Sequence, residues 1–158
     1  MRFYMIDRVL SYDPWKSIHA QKLTSRNEIA GWTGANSTPT MPHALVLEAL
    51  CQAGSWLLLL SSELRQRAAL LSIGSVTYIR EVELGAVLEI EGHVVGAGLV
   101  PALAHNETAV FSGRVLVEGR PVLEASEIMC VLIDAQELED PAEMARMKHL
   151  LIQRGKES

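Results

Sequence analysis

Between Pro42 and Leu60 the chain carries one formal charge, the carboxylate of Glu48, in a run that is otherwise almost wholly apolar. A carboxylate in such surroundings loses hydration, which costs several kcal/mol unless it is protonated or paired. Gln52 lies four residues on and Ser55 seven, so on a helix the three line one narrow polar stripe. The remaining faces are apolar, which predicts a helix wrapped on all sides. On this reading the segment is a buried helix that presents an acid to a cavity. A core helix whose acid is bonded only by Gln52 and a backbone amide would carry the same pattern. Roughly a dozen apolar residues follow Glu48, short of the ~20 that cross a bilayer, so no membrane span is expected.

Composition narrows the class. A chain of 158 residues, 49% hydrophobic and 21% charged, has the size and make-up of one globular domain with a sizeable core. The formal net charge of −5, with no basic run, argues against nucleic acid as a partner. Charges at Arg2, Asp7 and Arg8 fall too early for the apolar core of a signal peptide, so a cytoplasmic location is expected. Cys51 and Cys130 sit in apolar surroundings without metal-ligand spacing and read as reduced, buried thiols. The five histidines (His19, His43, His93, His105 and His149) are scattered, so no metal site is expected.

The pattern along the chain predicts an α+β domain. Residues 3–24 read as extended structure broken by a turn at Tyr12-Asp13-Pro14, and residues 27–42 as a loop rich in turn formers. Pro42 suits the first turn of the long helix, where its missing amide hydrogen costs nothing. From Leu70 onward strands are predicted at 73–80, 87–95, 109–117 and about 122–133, with a turn at 118–121. One apolar helix followed by consecutive strands with short links favours an antiparallel sheet curled around that helix. Asp140-Pro141-Ala142-Glu143 then starts an amphipathic C-terminal helix, with Met144, Met147, Leu150 and Leu151 in a stripe that packs on its own domain or on a sister subunit. The organisation expected is a domain over residues 1–135 and a C-terminal helix and tail over 136–158.

Three segments carry a family resemblance. Phe3 to Leu10, the run Met41-Pro42-His43-Ala44-Leu45-Val46-Leu47-Glu48-Ala49-Leu50-Cys51-Gln52, and the stretch Phe111 to Ala125 resemble, in order and spacing, the first strand, central helix and closing hairpin of the hot-dog 3-hydroxyacyl-acyl-carrier-protein dehydratases, the FabZ/FabA type. The match covers about residues 3–133. It implies a hot-dog fold, a curved antiparallel sheet around a long central helix. It also implies a homodimer, or a higher assembly of dimers, formed edge to edge with an acyl tunnel at the interface. The substrate would be an acyl thioester on the phosphopantetheine of an acyl carrier protein or on coenzyme A, with no other cofactor.

The resemblance places Glu48 at the family's catalytic acid, and Gln52, four residues on, is expected from its spacing to orient it. The family's histidine, fourteen residues before the glutamate in a Gly-His-Phe-Pro-like segment, is replaced here by Gly34. Glycine offers no base, and three readings follow. His43 takes over as base or carbonyl ligand at the helix start, where the family has a glycine whose backbone amide polarises the thioester carbonyl. Alternatively, Glu48 activates water for thioester hydrolysis, with Asn36, Ser37, Thr38 or Gln52 assisting. In the third, the chain binds acyl groups without turnover beside an intact paralogue. Gly34, Asn36, Pro42, Ala44 and Gln52 are the candidate substrate-binding residues. Arg65, Arg67, Arg80, Arg114 and Arg120 are candidates for a basic patch facing an acidic carrier protein.

Overall fold

The computed structural model describes residues 4–28, 39–99 and 107–156. In chain order the elements are β1 (Arg8–Asp13), β2 (Ser17–Leu23), β3 (Thr40–Met41), α1 (His43–Ser61), β4 (Gln66–Tyr78), β5 (Val82–Glu83), β6 (Val87–Leu99), β7 (Glu107–Val117), β8 (Arg120–Asp134) and α2 (Pro141–Lys156). Six strands form one antiparallel sheet in the order β1-β2-β6-β7-β8-β4, and β3 pairs with β5 apart from it. α1 touches β2, β4, β6, β7 and β8, so the sheet curls around it as the hydropathy pattern predicts. The helix is long and apolar enough to cross a membrane, but most of its apolar residues are buried within the domain.

One row of paired residues crosses all six strands on the face toward α1: Tyr12, Ile18, Gly92, Gly113, Ala125 and Val76. Its middle is made of the smallest residues, and there the helix comes closest. Phe111, buried at 1% exposure, fills the gap. A Cβ added to Gly54 of α1 would lie 2.9 Å from its ring, and one added to Gly92 of β6 would lie 2.0 Å from it. The ring is clasped between a helix and a strand that both lack side chains at the contact. Glycine inside a strand or helix weakens it locally, and close approach is what compensates.

Two boundaries depart from the sequence pattern. β4 begins at Gln66, some residues before the strand read from the sequence, because the helix exits through Glu63 and Leu64 in the left-handed region without any glycine. The buried Ser62 hydroxyl secures that turn, accepting from the Gln66 amide at 3.0 Å and donating to the Leu59 carbonyl at 3.1 Å. At the other end, Pro42 is the residue before the helix rather than its first turn. α2 starts as expected, with the Asp140 carboxylate accepting from the Ala142 amide at 2.9 Å, and it packs against β1. Met144 and Leu151 are buried and Met147 is partly covered, while Leu150, expected in the same stripe, stays 38% exposed.

The clasp around Phe111 sets a test of the packing. Gly92→Ala is expected to destabilise the fold by about 2 kcal/mol or more, because the new methyl overlaps an immobile ring. Adding Phe111→Leu should recover part of that loss. Urea unfolding of the single and double variants checks this, and equal stability of Gly92→Ala and the parent would refute it.

Candidate active site

α1 is not wrapped on all sides. Ala44 is exposed, and Leu47, Glu48, Cys51, Gln52 and Ser55 are half-buried, forming one helical stripe. The reason is topological: β4 is the last strand of the sheet, and among the described residues no further strand covers the face beyond it. Glu48 is therefore half-buried in the single chain rather than enclosed. Below this stripe lies a cavity of about 210 Å³ between α1 and the β4–β8 edge. Glu48, Cys51, Gln52 and Ser55 line it from α1, Arg67 and Leu70 from β4, and Phe111, Ile128 and Cys130 from the sheet behind.

Gln52 holds Glu48 in place. Its Oε1 accepts from the Met5 amide at 2.8 Å, and its Nε2 donates to Glu48 Oε1 at 2.8 Å. A backbone N–H can only donate, so the Met5 amide fixes which end of the side-chain amide is oxygen and leaves the nitrogen for the carboxylate. The orientation expected of Gln52 from its spacing is present, and its anchor is a segment 47 residues away in sequence.

His43 sits elsewhere. Its ring stacks on Tyr78 at the end of β4, with centroids 4.6 Å apart and planes 12° from parallel, and its Nε2 is buried without a hydrogen-bond partner. It is not among the cavity-lining residues, and five helical residues place it about 140° around the axis from Glu48. Within one chain the two are not brought together. Pro42 caps α1 through its carbonyl, which accepts from the Leu45 amide at 2.9 Å, and no side chain caps the helix. The amides of His43 and Ala44 lead the helix and so have no partner within it. Gly34 and Asn36, with Ser37 and Thr38, lie outside the described residues.

Of the five arginines expected in a basic patch, Arg67 pairs with Glu139 at 2.9 Å and Arg114 with Glu91 at 2.8 Å. Arg80 donates to the Arg120 carbonyl at 2.9 Å, which brings those two residues together beyond Tyr78. Sequence reasoning placed Arg67 on a carrier-facing surface and missed it as a cavity residue. The run Gln66-Arg67-Ala68-Ala69-Leu70-Leu71 does not alternate, so no local signal places Arg67 at the cavity. A larger groove of about 740 Å³ lies on the sheet face away from α1, lined by His19, His93, Ser112, Arg114 and Glu124 among others. It is open, and several of its polar groups engage one another across strands: Arg114 with Glu91, and Ser75 with Ser126 at 2.6 Å. The 210 Å³ cavity pairs a carboxylate oriented by Gln52 with walls that are largely apolar, an arrangement suited to acid–base chemistry on an acyl group.

Burial, with the Glu48 carboxylate as the next cause, pushes the Cys51 thiol up to about 12, and burial raises Cys130 as well. Both thiols are protonated at neutral pH, so neither is a ready nucleophile in this cavity. The ultraviolet thiolate absorbance of a Cys130→Ala protein is expected to rise only in strongly alkaline solution. Glu48→Gln should lower that midpoint while leaving it above the ordinary thiol range, since burial is the larger cause. A midpoint near that of a free cysteine would contradict this geometry.

A FabA-like domain model matches residues 1–126. The chain is 33% identical over 131 residues to the 3-hydroxyacyl-[acyl-carrier-protein] dehydratase FabZ of Shewanella woodyi, covering 81% of each chain. It is 32% identical over 140 residues to the enzyme of the same name from an Anaeromyxobacter species, covering 85% of this chain and 83% of the other. Among solved structures, a Streptococcus mutans protein bound to acetyl CoA matches with a TM-score of 0.62 at 16% identity, over 85% of this chain and 94% of that one. A Haemophilus influenzae thioesterase matches with a TM-score of 0.57 at 14% identity, over 84% and 80%. At such identities these structures establish the fold, a helix wrapped by an antiparallel sheet. The match over residues 1–126 and the two dehydratases together show that the chain belongs to the FabA-like hot-dog family.

Proposed function

We propose that the protein acts on 3-hydroxyacyl thioesters and eliminates water to give the 2-enoyl thioester. The observation that carries this reading is Glu48, aimed at an apolar cavity and held by Gln52 at 2.8 Å. In the reaction a base removes the C2 proton and the C2–H electron pair forms the C2=C3 bond. The C3–O bond breaks as the Glu48 carboxyl protonates the departing hydroxyl, which leaves as water. The amides of His43 and Ala44, at the positive end of α1, suit the thioester carbonyl as enolate charge develops.

A second copy of the chain completes this site. β4 is a 13-residue edge strand that carries Leu70 at 54%, Leu71 at 47% and Tyr78 at 44% exposure. Long apolar edges pair or aggregate unless they are covered. Pairing β4 with its copy covers the open stripe of α1 and brings the His43–Tyr78 stack to the interface, where His43 acts as base or carbonyl ligand across it. Arg80 and Arg120, at the same end, suit the acidic surface of an acyl carrier protein, and coenzyme A is the alternative handle.

Mass spectrometry of 3-hydroxyacyl-acyl carrier protein incubated with the pure protein tests the chemistry. Loss of water from the thioester is expected, with Glu48→Gln slower by about a hundredfold or more. Full activity of Glu48→Gln would remove Glu48 from the mechanism. Release of free thiol without an enoyl product would replace elimination by hydrolysis, and unchanged thioester would replace it by binding alone. For the assembly, light scattering is expected to give a dimer that Leu71→Glu converts to monomer, with activity lost in the same variant. A monomeric parent protein would overturn the completed site.

A further inference from the structure

We propose that Arg67, held by Glu139, is the far wall of the acyl cavity and limits the length of acyl chain the protein accepts. The proposal rests on the reading that the cavity beside Glu48 receives the acyl group. α1 and β4 run in opposite directions: His43 meets Tyr78 at one end, and Ser55 and Leu58 share the cavity with Arg67 and Ala68 at the other. With the thioester at the start of α1, the acyl chain points past Glu48 toward Arg67. From Glu48 to Ser55 the helix rises about 10 Å. A zig-zag of C–C bonds advances about 1.25 Å per carbon, so roughly eight carbons fit between C3, at Glu48, and Arg67, an acyl chain of about eleven carbons in all.

The cavity does not end there for want of space. A second cavity of about 150 Å³ lies beyond, under α2, lined by Trp56, Met144 and Met147. Gln52, Ser55 and Arg67 line both cavities, so these side chains are the partition between them. Gln52 is committed to Glu48 and Met5, and Ser55 is small. Arg67 is the large member, and its guanidinium donates to Glu139 Oε2 at 2.9 Å, with the two side chains 26% and 24% exposed. An alkyl chain pushed against this ion pair would strip water from the charges without offering them a partner, which is unfavourable. The pair therefore excludes long chains by charge as well as by bulk. Glu139 belongs to the segment leading into α2, so the C-terminal addition to the fold takes part in choosing the substrate.

The test is calorimetric titration of the full-length protein with butyryl, octanoyl and tetradecanoyl pantetheine. The parent is expected to bind the first two and to bind tetradecanoyl pantetheine about tenfold or more weakly. Arg67→Ala/Glu139→Ala removes both charges together, so neither is left orphaned, and joins the two cavities. It should bind tetradecanoyl pantetheine about tenfold more tightly than the parent does, with butyryl affinity within about twofold. Ser55→Leu thickens the partition from the other side and should lose octanoyl binding while keeping butyryl, which decides the matter if the double variant does not fold. An unchanged length profile, or equal changes at all lengths, would overturn the partition while leaving the cavity assignment intact. Failure of the parent to bind any of the three would overturn both.

Discussion

The ring of Phe111 sets the distance between helix and sheet. With Gly54 on one side and Gly92 on the other, α1 settles deep in the curve of the sheet, and Leu50, Leu57 and Leu59 become fully buried. Had either glycine carried a side chain, the helix would stand off and the space beside it would widen. The depth of α1 thus fixes the cavity's width. The sheet's end at β4 fixes its opening, since no described strand lies beyond to cover the stripe that carries Glu48.

The chemistry follows from that arrangement. A carboxylate on the fully covered face of α1 would be an isolated charge in hydrocarbon, which proteins avoid. On the half-covered face it keeps one firm partner, Gln52, and still looks into an apolar space. Gln52 in turn is anchored by the Met5 amide, so the N-terminal segment orients the acid through a single side chain. Removal of solvent by a second copy would then strengthen each of these polar contacts. The pairing proposed for β4 would also cover Leu70 and Leu71, which the single chain leaves exposed.

Much of this was legible in the sequence, for local reasons. The lone acid in an apolar run, and Gln52 one turn on, announce an oriented carboxylate because helical spacing is fixed. The alternating segments after residue 70 announce antiparallel strands, and Asp140-Pro141 announces α2. What the sequence hid depends on distance or on unusual backbone. The early start of β4 follows a turn made by Glu63 and Leu64, residues that give no turn signal. The Arg67–Glu139 pair joins positions 72 apart, and no periodicity links them. The stripe of α1 looks buried from its hydropathy, which does not distinguish a face covered by its own sheet from one left open at the sheet's edge. Pro42 marks the helix start beside His43, but the stacking of His43 on Tyr78 depends on the register of β4.

The central claim is that an acyl thioester lies along α1 with its C3 carbon at Glu48. A crystal structure with a non-reactive 3-hydroxyacyl pantetheine amide addresses it directly. The hydroxyl should sit within hydrogen-bond reach of the Glu48 carboxylate, about 3 Å, with the carbonyl at the start of α1 and the alkyl tail pointing toward Arg67. A ligand seated in the groove on the opposite face of the sheet, or one whose hydroxyl points away from Glu48, would contradict the claim.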